Sequence, residues 1–315
     1  MNPASRPRLL TPSSPDLAAA GEILRSGGLV AVPTETVYGL AARADRDESV
    51  AAIYAAKGRP SFNPLIVHVA DLAAAQAIAT LDTRAKALAE AFWPGPLTMV
   101  LPLREGAPVA AAVTAGLPTV ALRCPAHPVM RAVIAETGLP LAAPSANASG
   151  GVSPTSAAHV VTSLGGRVDA VIDGGPCEAG LESTIVGLRE GDRWQVLRPG
   201  PIAADTLAQV LGCAPDPVIS QAIEAPGQLA SHYAPGKPVR LDADAAEADE
   251  FHIGFGSIAG DATLSSSGDL IEAASRLYAL LHQGAAASHP RIAIAPVPET
   301  GIGAAINDRL RRAAA

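Results

Sequence analysis

Lys57, Arg59 and Asn63 share one short stretch, Lys57-Gly58-Arg59-Pro60-Ser61-Phe62-Asn63. Cations one residue apart can neutralise phosphate charge, and Pro60 and Pro64 fix a turn that holds the Asn63 amide beside them. The alternative is a solvated helix C-terminus, where positive charge suits the helix dipole. A second stretch, 143–153, carries Ser145, Asn147, Ser149 and Ser153 with Gly150 and Gly151. Hydroxyls, an amide and few bulky side chains let backbone N–H groups approach a polyphosphate. An ordinary surface loop would not need so apolar a strand to launch it. The chain contains no G-x-x-x-x-G-K-[ST], so a phosphate site here is not a P-loop.

Further candidates lie at the ends of apolar runs. Thr34-Glu35-Thr36 follows the run 29–33, at the kind of strand end where α/β sheets place ligands; a capped polar turn is the structural alternative. His68 interrupts Leu65-Ile66-Val67-His68-Val69, and a lone strand histidine is more often a satisfied core or surface residue than a ligand. Arg123 and Arg198 each end an apolar run and are followed closely by proline, which points to a shared rim. An arginine fork suits a carboxylate, and a surface charge is its plain alternative. Gly254-Phe255-Gly256-Ser257-Ile258-Ala259 matches a dinucleotide fingerprint, but no helix pattern follows it. No G-x-S-x-G, no H-E-x-x-H and no Ser-His-Asp order is present.

These residues need an α/β frame. Ser14-Pro15-Asp16 reads as an N-cap, an N1 proline and a first-turn acid, opening a helix that stops at Gly27-Gly28. A strand follows over 29–33. Asp47 is expected to cap a second helix, with Val50, Ile53 and Tyr54 apolar, that delivers Lys57 at its end. Further strands are expected over 64–69, 97–103, 119–124, 140–143, 168–173, 183–188 and 195–197. Helices are expected on both sides of Leu81 and over 128–136, 156–164 and 203–211. The alternation implies an α/β sandwich with a mixed sheet. Residues 213–237 break the pattern with prolines and glycines yet carry His232-Tyr233. Strands near 239–241, 251–255 and 291–295 and helices near 269–283 and 303–313 complete a small βα unit. The expected division is a catalytic domain over 1–212, a linker over 213–237 and a C-terminal domain over 238–315.

Composition narrows the partners. The chain has 315 residues, of which 49% are apolar and 3% aromatic, so its core is mainly aliphatic. Residues 1–212 hold 16 Lys+Arg against 18 Asp+Glu, or −2; residues 213–315 hold 7 against 12, or −5. Neither half is a basic nucleic-acid footprint, so a phosphate site must be a local concentration of cations. Three scattered cysteines, Cys124, Cys177 and Cys213, argue against a disulfide framework and fit a reducing compartment. The N-terminus leads into no apolar signal region, and the uncharged stretch 106–122 is too short and too broken by Pro108, Gly116 and Pro118 to span a bilayer. A soluble cytoplasmic protein is expected, with no membrane partner.

Taken together, the motifs closely resemble the YrdC/Sua5 family. The resemblance is carried by GLVAVPTETVYGL (28–40), KGRP (57–60), NPLIVHV (63–69), FWPGPLT (92–98), APSANASG (143–150), ESTIV (182–186) and LRPG (197–200). SHYAPG (231–236) and NDRLRR (307–312) resemble the longer, two-domain form. The resemblance implies a twisted mixed-sheet YrdC-like α/β domain with a large concave cavity, joined to a small Rossmann-like domain. It implies L-threonylcarbamoyladenylate synthase activity, a nucleotidyltransferase reaction. L-threonine, bicarbonate or CO2 and ATP, with Mg2+ carried by the ATP phosphates, would give threonylcarbamoyl-AMP and pyrophosphate. The product would pass to a threonylcarbamoyl transferase that forms N6-threonylcarbamoyladenosine at position 37 of tRNA, with tRNA contact by this chain indirect or weak.

The resemblance assigns ATP to Lys57, Arg59, Asn63, Thr119, Ser145, Ser153, Arg198 and Tyr233. It assigns threonine to Thr36, His68, Arg123, Ala143 and Ser183, and marks Lys57, Arg59, Ser145 and Asn147 as catalytic. Thr184 competes with Ser183, and Ala143 would act through its backbone. A carbamate formed on the threonine amine would attack the α-phosphorus, so no enzyme nucleophile is required. Residues 226–236 would fold over the cavity and shield the labile mixed anhydride. Two alternatives remain: an enzyme that adenylates carbamate itself, and a non-enzymatic module whose concave face holds double-stranded RNA.

Overall fold

In the computed structural model, residues 6–217, 223–228 and 232–315 are described. A ten-stranded mixed sheet runs in the order β1 (Arg8–Leu10), β8 (Ala170–Ile172), β2 (Val30–Val32), β3 (Gly39–Arg43), β7 (Leu141–Ala142), β4 (Ile66–His68), β6 (Thr119–Arg123), β5 (Leu97–Pro102), β9 (Thr184–Leu188) and β10 (Trp194–Arg198). Helices cover both faces, and strands such as β2, β4 and β8 are buried throughout, as expected of a sheet covered on two sides. Their aliphatic side chains divide into three clusters, one holding Leu40, Val67, Met99 and Leu122, the second Val30, Ala41, Met130 and Ile172, and a smaller third Ile66, Val100, Ala121 and Ile185.

A second sheet is wholly parallel, in the order β11 (Val239–Arg240), β14 (Arg291–Ile294), β12 (Glu250–Gly254) and β13 (Ala262–Thr263). The helix Leu270–Ala286 packs on it, and its core continues without a break into Val37, Val152, Leu181 and Tyr233 of the preceding chain. One apolar cluster therefore joins the second sheet to loops of the large domain. Gly180, at φ 67, meets that helix so closely that an added Cβ would lie 2.5 Å from the Ser275 backbone.

Several local expectations shift. Ser13, not Ser14, precedes the first helix, Ser14–Arg25, and Asp16 accepts hydrogen bonds from the Thr11 backbone and hydroxyl instead. Asp47 opens the helix Asp47–Lys57 as its first residue, and the cap position is Arg46. Gly58 then takes the left-handed conformation, φ 61, that turns the chain sharply after Lys57. At the fingerprint-like stretch, Phe255 and Ile258 close a turn and the chain enters β13, so no helix N-terminus is formed.

Candidate active site

The C-terminal ends of β4 and β6, the turn before β3, the loop after β7 and the start of β9 converge on one concavity. The described linker residues Pro226, Gly227, His232 and Tyr233 close its other side. Nine of the expected residues line it: Thr36, Arg59, His68, Arg123, Ala143, Ser145, Ser183, Arg198 and Tyr233.

One end is built around Arg123. The β4–β6 register sets His68 beside Arg123. The guanidinium donates to the Thr36 hydroxyl at 2.9 Å, the Glu35 carboxylate at 2.7 Å and the Gly95 carbonyl at 3.2 Å. Arg123 is thus no bare cation: Glu35 pairs with it. Burial alone would raise the Glu35 carboxyl, but the Arg123 charge and hydrogen bond outweigh it and hold the pKa at about 2. The Thr34 hydroxyl bonds the Val37 carbonyl and accepts the Thr36 and Val37 N–H groups, so the capped-turn reading of this segment is also correct. Burial first, and Arg123 second, push His68 down to about 3; its imidazole is neutral, and its buried Nδ1 has no protein partner. A neutral imidazole can both donate to and accept from a hydroxyl.

The other end is built around Arg198 and Glu182. Arg198 donates to the Ser183 carbonyl through Nε at 3.1 Å and Nη2 at 3.0 Å, and to the Ser183 hydroxyl at 3.0 Å. Ser183 therefore faces the cavity, whereas the Thr184 hydroxyl is engaged with the Ile202 backbone. Ser153 does not line the cavity directly; its hydroxyl donates to Glu182, which does. Glu182 also accepts from Tyr278 at 2.8 Å and Arg309 at 2.9 Å, both from the C-terminal part of the chain. Burial opposes the ionised form of Glu182, yet the Arg309 and Arg198 charges hold its pKa at about 2. Tyr233 has φ 65, rare for a non-glycine residue, and is fully enclosed between His232, Tyr278 and Arg309.

The KGRP turn lies behind this wall. Lys57 is buried, and its Nζ donates to the Ser145 and Asn147 carbonyls rather than reaching the cavity. Burial, then Arg59 and Arg167, lower its pKa well below the lysine range. Arg59 lines the cavity while bonding the Asn63 and Pro64 carbonyls at 3.2 and 2.9 Å. The buried Oδ1 atoms of Asn63 and Asn147 have no protein partner, and the Asn147 amide nitrogen bonds the Ala148 and Gly151 carbonyls. Thr119 begins β6, at the opposite end of that strand from Arg123, and is not part of the lining. Ser231 lies outside the described residues.

Sequence reasoning did not single out Glu182, Tyr278 or Arg309, and placed Glu35 in a candidate ligand segment at a strand end without assigning it a role of its own. The available signal was an acidic residue in each of two otherwise small or apolar blocks, 28–40 and 182–186. A carboxylate folded into such surroundings requires a cation. Burial raises the thiols of Cys124 and Cys177, the latter to about 12, so neither is poised as a nucleophile. The arrangement instead suits binding and charge stabilisation of an anionic ligand bearing both a carboxylate and phosphates.

Comparison with known proteins agrees with this architecture. The Sua5/YciO/YrdC family model, described as telomere recombination, matches residues 22–200, and the model for the threonylcarbamoyl-AMP synthase C-terminal domain matches residues 202–315. The threonylcarbamoyl-AMP synthase of Bacillus subtilis is 46% identical over 237 residues, covering 74% of this chain and 68% of that one. That of Pyrococcus abyssi is 38% identical over 320 residues, covering 94% and 92%. The crystal structure of P. abyssi Sua5 complexed with L-threonine superposes with a TM-score of 0.89 at 36% identity, covering 98% of this chain and 97% of that one. The chain belongs to the Sua5/YciO/YrdC family and carries that family's threonylcarbamoyl-AMP synthase C-terminal domain.

Proposed function

We propose that this protein is a threonylcarbamoyl-AMP synthase, an adenylating transferase that joins L-threonine, bicarbonate or CO2 and ATP. The observation that carries the reading is one cavity with two chemically distinct ends. Thr36, His68 and Arg123 suit an amino acid with a hydroxyl, and Arg59, Ser145, Arg198 and Tyr233 suit a nucleotide polyphosphate. The name and threonine complex of the P. abyssi relative support the assignment.

In this reading Arg123, oriented by Glu35, holds the threonine carboxylate, and neutral His68 with Thr36 binds the side-chain hydroxyl. A site built on that hydroxyl discriminates against analogues lacking it. The threonine nitrogen bonds to the carbon of CO2 and loses a proton, giving a carbamate. A carbamate oxygen forms a bond to the α-phosphorus, the bond to the β-phosphate oxygen breaks, and pyrophosphate leaves. Arg59 and Arg198 offset the charge of the transferring group. Lys57 acts one step back, tying Ser145 and Asn147 into place. The linker residues about Tyr233 limit water access to the mixed anhydride.

Among the described residues no group of three or more His, Cys, Asp or Glu side chains could hold a metal. Glu35 and Glu182 are both engaged with arginine, so protein-held Mg2+ does not fit the site, and no step is routed through it. Mg2+ is proposed to arrive on the ATP phosphates. The product is proposed to feed a tRNA-modifying transferase in the cytoplasm. No described helix is long and apolar enough to cross a membrane.

Pyrophosphate release from ATP and Mg2+ tests the reading. It should require both bicarbonate and threonine, and serine should replace threonine poorly. Release without threonine would move the assignment to carbamate adenylation; no release would remove the enzymatic reading.

A further inference from the structure

The cavity's two ends are braced by different parts of the chain. Around Arg123, every partner comes from residues 35–127: Glu35, Thr36, Gly95 and, through Glu35, the His127 N–H. Around Glu182, Ser153 is local, but two partners come from far beyond the large sheet. The Tyr278 hydroxyl and Arg309 Nε converge on the Glu182 oxygen that Ser153 does not use. Arg309 is fully buried; its Nη2 donates to the Pro199 carbonyl at 2.9 Å, next to Arg198, and its guanidinium carbon lies 5.3 Å from the Tyr233 ring centroid. Tyr278 stacks on the same ring, with centroids 5.5 Å apart.

We infer that Tyr278 and Arg309 are positioning residues for the nucleotide end of the cavity, acting through Glu182, Ser153 and Tyr233. This rests on the proposed function for the identity of the nucleotide. Neither residue lines the cavity, so neither is placed to touch ATP. Their chemistry fixes what does line it. A carboxylate with both oxygens occupied is held in one pose, and its negative charge acts on the neighbouring Arg198 guanidinium, itself fixed by the Ser183 and Pro226 carbonyls. A ring held at positive φ between a stacked tyrosine and a cation has one available pose. The small C-terminal unit thereby supplies the Tyr278 and Arg309 bonds to Glu182 that complement the one from Ser153, while the Arg123 end is self-contained.

The test is Tyr278→Phe in the full chain, which removes one hydroxyl and keeps the ring. Loss of a hydrogen bond to a charged group corresponds to about a tenfold weakening. ATP affinity by calorimetry, and KM for ATP, should worsen about tenfold, with KM for threonine within about twofold of the parent and the melting temperature nearly retained. Arg309→Met should act in the same direction and more strongly, with Arg309→Lys recovering part of the loss; if Arg309→Met does not fold, Tyr278→Phe decides. Unchanged ATP affinity in Tyr278→Phe, or equal losses for ATP and threonine, would overturn the inference alone. Failure of the parent chain to bind ATP would overturn the proposed function and the inference with it.

Discussion

Two buried carboxylate–guanidinium pairs face the same cavity from opposite ends, and they are built in opposite senses. In Glu35–Arg123 the guanidinium lines the cavity and the carboxylate stands behind it; in Glu182–Arg309 the carboxylate lines the cavity and the guanidinium stands behind. Both carboxyls are held at about 2 against burial. The first pair presents a cation whose orientation is fixed, which suits recognition of an anionic group. The second presents an anion that cannot bind phosphate itself, and its use is to hold neighbours that do. A shared pairing thus serves recognition at one end and support at the other.

Breaking the pairs should separate the two roles. Arg123→Ala is expected to have the largest effect. It removes the threonine clamp, lowering threonine-dependent kcat/KM by about 10³, and leaves Glu35 buried and unpaired, at a cost of about 3–5 kcal/mol. Adding Glu35→Gln should restore most of the stability, measured by urea denaturation, and none of the activity. Recovery of activity would mean Arg123 does not bind substrate. Glu182→Gln should destabilise by about 2 kcal/mol, because it removes one of the two carboxylates paired with buried Arg309 and leaves it Asp308, and should weaken ATP without changing threonine affinity. A selective loss of threonine affinity instead would show that the ends have been assigned the wrong way round.

Acid should loosen the Glu182 side through histidines as well. His159 and His282 stack across the boundary between the two units, with ring centroids 3.9 Å apart. Burial first, and His282 second, push His159 down to about 4. A histidine neutral in the fold takes up a proton only on unfolding, so stability is unaffected by it above pH 6.5 and falls progressively between about 6.5 and 4. His68 and His232, each near 3 mainly through burial, add to the same trend. Melting temperatures measured across pH 8 to 4 should decline in that window, and His159→Gln should flatten the slope without removing it. A flat profile would rule out neutral buried histidines. The smallest effect is expected for Ser153→Ala, which leaves Glu182 with its Tyr278 and Arg309 partners; ATP binding should weaken by about 1 kcal/mol.

Most of the frame was legible in the sequence because its strands are apolar runs bounded by Gly and Pro, and its helices carry ordinary periodicity. The strand Gly39–Arg43 was not. Gly39-Leu40-Ala41-Ala42-Arg43 has no β-branched residue, and pairing with β2 and β7 on either side makes it a strand. Arg8–Leu10 owes its conformation to a parallel partner, β8, some 160 residues away along the chain. At the site, the cations and hydroxyls were legible because their spacing is local. Lys57 was placed correctly at a helix end, but its engagement with the Ser145 and Asn147 carbonyls depends on how that helix packs. The contact between Glu182 and Arg309 spans 127 positions, and no local pattern announces it.

The most direct test of the shared cavity is to follow two labels into one product. The full chain would be given threonine, carbon-labelled bicarbonate and α-phosphate-labelled ATP. The expected result is a single acid-labile species carrying both labels, formed in equal amount to pyrophosphate and only when threonine is present. A phosphate-labelled product that lacks the carbon label, or one formed equally well without threonine, would contradict the account.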